Sequence, residues 1–139
     1  MADLRGRYAI VGIGEAPSGK LPDSDHWELN LIAAKRAIED SGIDKSEIDC
    51  VITTDSMVVN RRRHHVVMCE QLGIPLAKYT ELSAMGGSAP ASNLRHAVAA
   101  LHAGMAKVAL VVGAPNLRTG RCRQGAIYAG PAEYHNAEF

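Results

Sequence analysis

The 139-residue chain has no net charge, 15 Lys and Arg balancing 15 Asp and Glu. The signs are interspersed, so there is no electrostatic case for a nucleic-acid or anionic-membrane partner. The one local departure is Arg61, Arg62 and Arg63, followed by His64 and His65. Cysteine is sparse: Cys50, Cys69 and Cys122 lie far apart with no CxxC spacing. That excludes a disulfide framework or thiolate zinc site and fits reduced thiols in a cytoplasmic protein. The six histidines show no ligand-like spacing, so no metal is expected. No apolar run reaches 18 residues and the N-terminus lacks a long apolar segment. Neither a membrane span nor a secretion signal is expected.

What is present is an alternation of strand-like and helix-like patches. A chain of this length buries about 68–70% of its unfolded surface, enough for one core without disulfides. "YAIVGIG" (8–14) is a short apolar run ended by glycine, expected as a buried strand. Asp25 and Glu28 have capping-box spacing, Leu31, Ala34 and Ile38 recur at helical intervals, and Gly42 stops the pattern. A helix is expected over 26–41. "CVITTD" (50–55) reads as a strand, and 62–72 as a helix with Val66, Cys69 and Leu72 on one face and Gly73 ending it. "KYTELSA" (78–84) alternates as a strand, while Ala91, Leu94, Val98 and Leu101 stripe a helix that Gly104 stops. "KVALVVGA" (107–114) is a continuous apolar run suited to a sheet covered on both faces. The order β-α-β-α-β-α-β predicts an α/β domain with a largely parallel sheet. Residues 115–139 hold three Gly and two Pro without sustained period, and read as a long loop or a truncated end.

Several stretches invite a chemical reading. "GIGEAPSGK" (12–20) follows a strand but lacks the third Rossmann glycine and a GK[ST] ending, so a strand-ending turn is expected. "SAMGGSAPASNLRHA" (83–97) runs from a Gly86-Gly87-Ser88 turn into a helix. Ser88 is either a nucleophile or the helix N-cap, and the G-x-S-x-G pattern is absent. In either case Gly86 and Gly87 let a ligand oxygen approach the positive end of the helix. Residues 61–65 read as a phosphate contact, a solvated helix entry or a subunit contact. Asn116, Arg118 and Arg121 follow the last strand, where α/β ligand sites gather, or belong to an ordinary polar loop.

Together, "AIVGIGEAPSGK", "AAKRAIEDSGIDKSEID" and "SAPASNLRHAVAALHAGMAKVALVVGA" resemble the thiolase superfamily, and the likeness covers nearly the whole chain. The resemblance implies an N-terminal thiolase-like half, one of two related α/β halves, and therefore a fragment or a separately encoded subunit. It places the nucleophilic cysteine position on Gly87, and no cysteine lies nearby. A hydrogen in place of a thiol forms no acyl-enzyme. The chain in this respect is similar to the cysteine-less, lipid-transfer-protein-like branch of steroid side-chain aldolases. That branch has an "N-x-R-[ST]-G-x-R" tail pattern, met here by Asn116, Arg118, Thr119 and Gly120, with Arg121 one position early. The implied activity is retro-aldol cleavage of an acyl-CoA thioester, with no covalently bound cofactor. The implied partners are a second copy of the chain and a small zinc-binding OB-fold protein. Gly87 and Ser88 are the expected catalytic positions, Gly86, Asn116 and Arg118 the expected substrate contacts. A non-catalytic scaffold and an acyltransferase are the alternatives.

Overall fold

Asp25 and Gly42 bound the first helix as their chemistry requires. The Asp25 carboxylate accepts the Glu28 N–H at 2.8 Å, and Gly42 takes the left-handed conformation (φ +65°) that closes the helix. A computed structural model of the chain describes residues 4–54, 63–74, 77–83 and 86–116. Within them the order is α1 (His26–Ser41), β1 (Cys50–Thr54), α2 (His64–Leu72), β2 (Tyr79–Ser83), α3 (Ala89–His102) and β3 (Ala109–Val112). Single 3₁₀ turns precede β1 (Lys45–Glu47) and α3 (Gly86–Ser88). The strands form one parallel sheet, β2-β1-β3, with Cys50 opposite both Tyr79 and Ala109.

Alternation along the strands separates two cores. Val51, Leu110 and Val112 face α1 and α2, packing with Ala33, Ala34, Met68 and Leu72. Cys50, Ile52, Ala109 and Val111 face α3 through Ala97 and Leu101. Central β1 is buried on both faces from Cys50 to Thr53, as a strand covered on both sides must be. The α/β architecture with a covered parallel sheet is the one the sequence predicts.

Three local expectations need correction. Residues 8–14 form no strand. They run along α1 instead, because Gly12 and Gly14 lie so close to it that a Cβ on either would collide with the Ala37 or Ala33 carbonyl. Side chains of α1 satisfy this segment's backbone: Ile13 N–H donates to Asp40 Oδ2 at 2.8 Å, and Arg36 donates to the Glu15 carbonyl at 2.6 Å. In α2 the inward face is His64, Met68, Cys69 and Leu72, with Val66 exposed. In α3 the sheet-facing residues are the small ones, Ala89, Ser92, Asn93, Ala97 and Ala100. Small side chains let the helix sit close to the sheet. Of the expected stripe, Leu101 packs on the sheet as read, while Leu94 is exposed and with Val98 and Leu101 borders a groove beside β3.

One residue ties the amino ends of all three strands. Asp49 is 8% exposed. Its Oδ1 accepts the N–H groups of Lys107 and Val108 at 2.8 and 3.0 Å, and Oδ2 meets Lys78 Nζ at 3.1 Å. Its own N–H donates to the Val108 carbonyl, and its carbonyl accepts the Lys78 and Tyr79 N–H groups. Burial opposes the Asp49 charge, yet the two backbone donors and Lys78 outweigh it and hold the carboxyl below its ordinary value.

Asp49→Ala is expected to lower stability by about 1.5–3 kcal/mol in urea denaturation, the usual range for hydrogen bonds to a charged group. A loss within error of zero would remove the carboxylate from its tying role. Because the folded pKa is depressed, this stability is complete above the unfolded value of about 3.9 and drains as pH falls through the lower folded value. Asp49→Asn should flatten that part of the acid limb. The buried thiols give a second check. Burial, with the Asp49 and Glu81 charges, pushes Cys50 up to about 12, and burial raises Cys69. Iodoacetamide at pH 8 should therefore label neither until the chain unfolds, read by peptide mass spectrometry.

Candidate functional site

The carboxyl ends of the parallel strands all open on one edge, where ligands of α/β sheets collect. Thr54 ends β1, Ser83 ends β2, and Gly113 follows β3. Three residues beyond Ser83 the chain makes the Gly86–Ser88 turn and enters α3. Gly86 has φ +59°, a conformation that favours glycine. Pro90 sits in the first turn of α3, where its missing N–H breaks no helical bond.

Ser88 occupies the N-cap position, but its side chain makes no capping hydrogen bond. The 3₁₀ turn runs straight into the helix, so Ser88 has helical dihedrals (φ −85°, ψ −9°) rather than the extended ones that aim a capping oxygen. Gly87 is exposed, and a Cβ added there would meet nothing within 4 Å. A small open space therefore lies beside the positive end of a 14-residue helix, whose first N–H groups have no intrahelical acceptor.

Asn116 is 7% exposed, and its amide nitrogen donates to the Leu21 and Ser24 carbonyls at 3.3 and 2.7 Å. Both of its donors thus hold the loop that leads into α1. Arg118 and Arg121 lie outside the described residues, as do Arg61 and Arg62. Arg63 is exposed with φ +61° and immediately precedes His64, which is fully buried. The structure therefore brings Gly86, Gly87, Ser88 and Asn116 to the carboxyl edge, Asn116 as a fastening for the loop before α1.

Sequence patterns missed the buried polar residues along this edge. Asn30 binds both sides of one residue: the Ala114 N–H donates to its Oδ1 at 3.0 Å, and its Nδ2 donates to the Ala114 carbonyl at 3.2 Å. The same Nδ2 reaches the His26 carbonyl at 2.7 Å. The His26 and Trp27 rings lie 4.9 and 4.3 Å from that of His64. Thr53 Oγ1, Ser83 Oγ and both amide atoms of Asn93 are buried with no hydrogen-bond partner among the described residues. The only forewarning was a polar residue at a helical position otherwise fit for a core.

Among the described residues, proton-transfer groups lie away from Gly87 or are held by other partners. Cys50 and Cys69 are buried, with pKa values moved away from thiolate formation. His96 Nδ1 pairs with Glu81, whose other oxygen accepts the Tyr79 hydroxyl at 2.7 Å. That hydrogen bond to Glu81, with burial, pushes Tyr79 up to about 12. His96 lies two turns into α3, about 10 Å of helix from Ala89, and its partners Tyr79 and Glu81 stand on β2. Among the described residues no three His, Cys, Asp or Glu side chains group as metal ligands, and no helix is long and apolar enough to cross a membrane.

No protein-family profile matches the chain. Two characterised relatives do. A steroid side-chain-cleaving aldolase of Thermomonospora curvata is 28% identical over 130 residues, 94% of this chain and 32% of that protein. The 17-hydroxy-3-oxo-4-pregnene-20-carboxyl-CoA lyase of Mycobacterium tuberculosis is 29% identical over 117 residues, 84% of this chain and 29% of the enzyme. Among solved structures, the Ltp2-ChsH2(DUF35) aldolase superimposes with a TM-score of 0.71 at 27% identity, covering 87% of this chain and 31% of that one. A monomeric SCP2-thiolase-like protein of Mycobacterium smegmatis gives 0.60 at 27% identity, over 75% of this chain and 22% of its own. The chain thus spans about a third of the length of the relatives it matches. With its α/β layers and parallel sheet, it shares the thiolase-like fold of these proteins and is similar to one part of it.

Proposed function

We propose that this chain forms the N-terminal half of an acyl-CoA C–C lyase that works by retro-aldol cleavage without a cysteine nucleophile. The observation that carries the reading is the exposed Gly87 at the head of α3, on the carboxyl edge of the sheet, with open space where a side chain would stand. In such a cleavage the β-hydroxyl loses its proton and the Cα–Cβ bond breaks. The electron pair moves through Cα onto the thioester oxygen. That oxygen gathers negative charge, and a backbone N–H at a helix head stabilises it without reorganisation. A glycine at 87 leaves room for the thioester where a thiol-bearing side chain would attack it instead.

Support for a CoA thioester substrate comes from the lyase relative, whose name carries the carboxyl-CoA group. Support for a second protein comes from the aldolase relative, which is named as a pair. On the family resemblance we add that the second protein is a small zinc-binding OB-fold partner and that two copies of this chain pair. The acid–base groups belong, on the family resemblance, to the second half of the fold. Ser88 and Gly86 shape the turn, and Arg118, in the segment that follows β3, is the candidate contact for the CoA phosphates.

The test is turnover of a β-hydroxyacyl-CoA by the full protein, with its partner, in wild type and Gly87→Leu. The substitution should leave the thermal midpoint within about 2 °C, since the new side chain enters open space, and lower kcat/KM by at least ~100-fold. Unchanged turnover would end the assignment. If every substitution at 86–88 is tolerated while the partner still restores activity, the chain is a scaffold. An acyl adduct on Ser88 in peptide mass spectra under turnover would show an acyltransferase.

A further inference from the structure

Beyond Val112 the chain leaves its strand, yet three parts of the fold hold its next residues. The last β1–β3 pair is Thr53 with Val112. Gly113 then passes so close to Thr54 that a Cβ would stand 2.5 Å from its Oγ1. Asn30 of α1 takes Ala114 by both backbone groups, accepting its N–H at 3.0 Å and donating to its carbonyl at 3.2 Å. Asn116 closes the run, its amide nitrogen on the Leu21 and Ser24 carbonyls at 3.3 and 2.7 Å. Segments past a strand end ordinarily run loosely over the surface. Here every residue from 113 to 116 is constrained, Pro115 by its own ring.

Asn30 supplies the central constraint. It is 0% exposed, at a helix position where an apolar side chain would be buried without a polar group to satisfy. Its Nδ2 also donates to the His26 carbonyl at 2.7 Å. A flipped amide would turn its oxygen on two carbonyl oxygens, so the side chain has one workable orientation. The amide acts as a single rung of a strand, and it sets the direction in which the chain crosses the carboxyl edge. Burial shows what that direction presents. Ala114 is half-buried and Asn116 buried, whereas Gly113 and Pro115, which alternate with them, are exposed. Gly113 lines the groove beside β3 together with Pro90 of the first turn of α3. The exit of β3 and the head of α3 therefore stand along one groove at this edge.

We propose that Asn30 is a positioning residue of the C–C lyase, a role that rests on that reading of the site. From behind, it holds Gly113–Pro115 as a second wall of the thioester site, the first being the head of α3. A glycine and a proline make a wall with no side chain to reorient. If the wall shifts by about 1 Å, the thioester oxygen is misplaced against the N–H groups that stabilise its charge.

Kinetics of the full protein with its partner test this, on a β-hydroxyacyl-CoA, each variant being compared with wild type at the same pH. Circular dichroism checks folding at each pH. Asn30→Asp keeps the shape and the acceptor, but when ionised it loses the donor to Ala114. Burial favours the neutral acid, which regains that donor, so acid should restore the grip. We expect kcat/KM about tenfold or more below wild type at about pH 8, and within about threefold of it at about pH 5.5. Pro115→Gly, an exposed change, should lower kcat/KM about fivefold and leave the thermal midpoint within about 2 °C. A loss in Asn30→Asp that acid does not relieve, or a lower midpoint with unchanged kcat/KM, makes Asn30 structural and overturns the proposal. Wild-type kinetics in Pro115→Gly overturn it too, and that variant decides alone should Asn30→Asp not fold at pH 8. Absence of turnover in the wild type sinks the lyase reading itself and this role with it, whereas wild-type turnover that neither variant changes sinks only the role.

Discussion

The sheet depends on a buried carboxylate. Parallel strands cannot be joined by tight hairpins, so their starting ends arrive from separate crossovers and must be brought together by something else. Asp49 does so with its side chain and its backbone together, gathering the entries to β1, β2 and β3 within hydrogen-bond reach of one residue. Removal from water disfavours its charge, and the charge survives because two N–H groups and an ammonium converge on it. Lys78 is largely exposed, so the backbone donors contribute most of what holds the register.

Fastening one end leaves the opposite end free for chemistry. At the carboxyl edge β2 leads to Gly86–Ser88 and the head of α3, and the polar residues there are bonded far less completely than Asp49. Thr53, Ser83 and Asn93 carry buried polar atoms without partners among the described residues, whereas Asn30 and Asn116 bind backbone groups. Buried polar groups left open are disfavoured in a purely structural core, so their concentration here fits an edge that receives further groups. The same edge carries Gly87, the position at which the thiolase-like resemblance expects a thiol.

The glycines show how a local signal can be read correctly and still misplace an element. Gly12 and Gly14 mark the end of an apolar run, which by itself looks like a buried strand. Their actual use is close approach: the backbone rests on α1 with no room for a Cβ, and Asp40 and Arg36 take the bonds a neighbouring strand would offer. Likewise the Leu94, Val98 and Leu101 stripe is apolar and helical, as read, but only Leu101 packs on the sheet core while all three border the groove beside β3. Periodicity reports which residues share a face and is silent about what covers that face.

What the sequence determined by itself is therefore local and periodic. Asp25 with Gly42 set the bounds of α1, Gly73 the end of α2, and the apolar runs at 50–55 and 107–114 the strands β1 and β3. These follow from dihedral preference and hydrophobic spacing, which act within a few residues. Motif likeness likewise reached the thiolase-like fold. Only the tertiary structure decided that Asp49 joins three strands, that Ser88 leaves the helix uncapped by its side chain, and that Asn116 ties down a loop. It alone placed Asn93, unbonded among the described residues, in the wall of the groove beside β3. Those outcomes depend on hydrogen bonds between residues 29 to 95 positions apart, or on the lack of them, and such partners leave no mark in the spacing of either one.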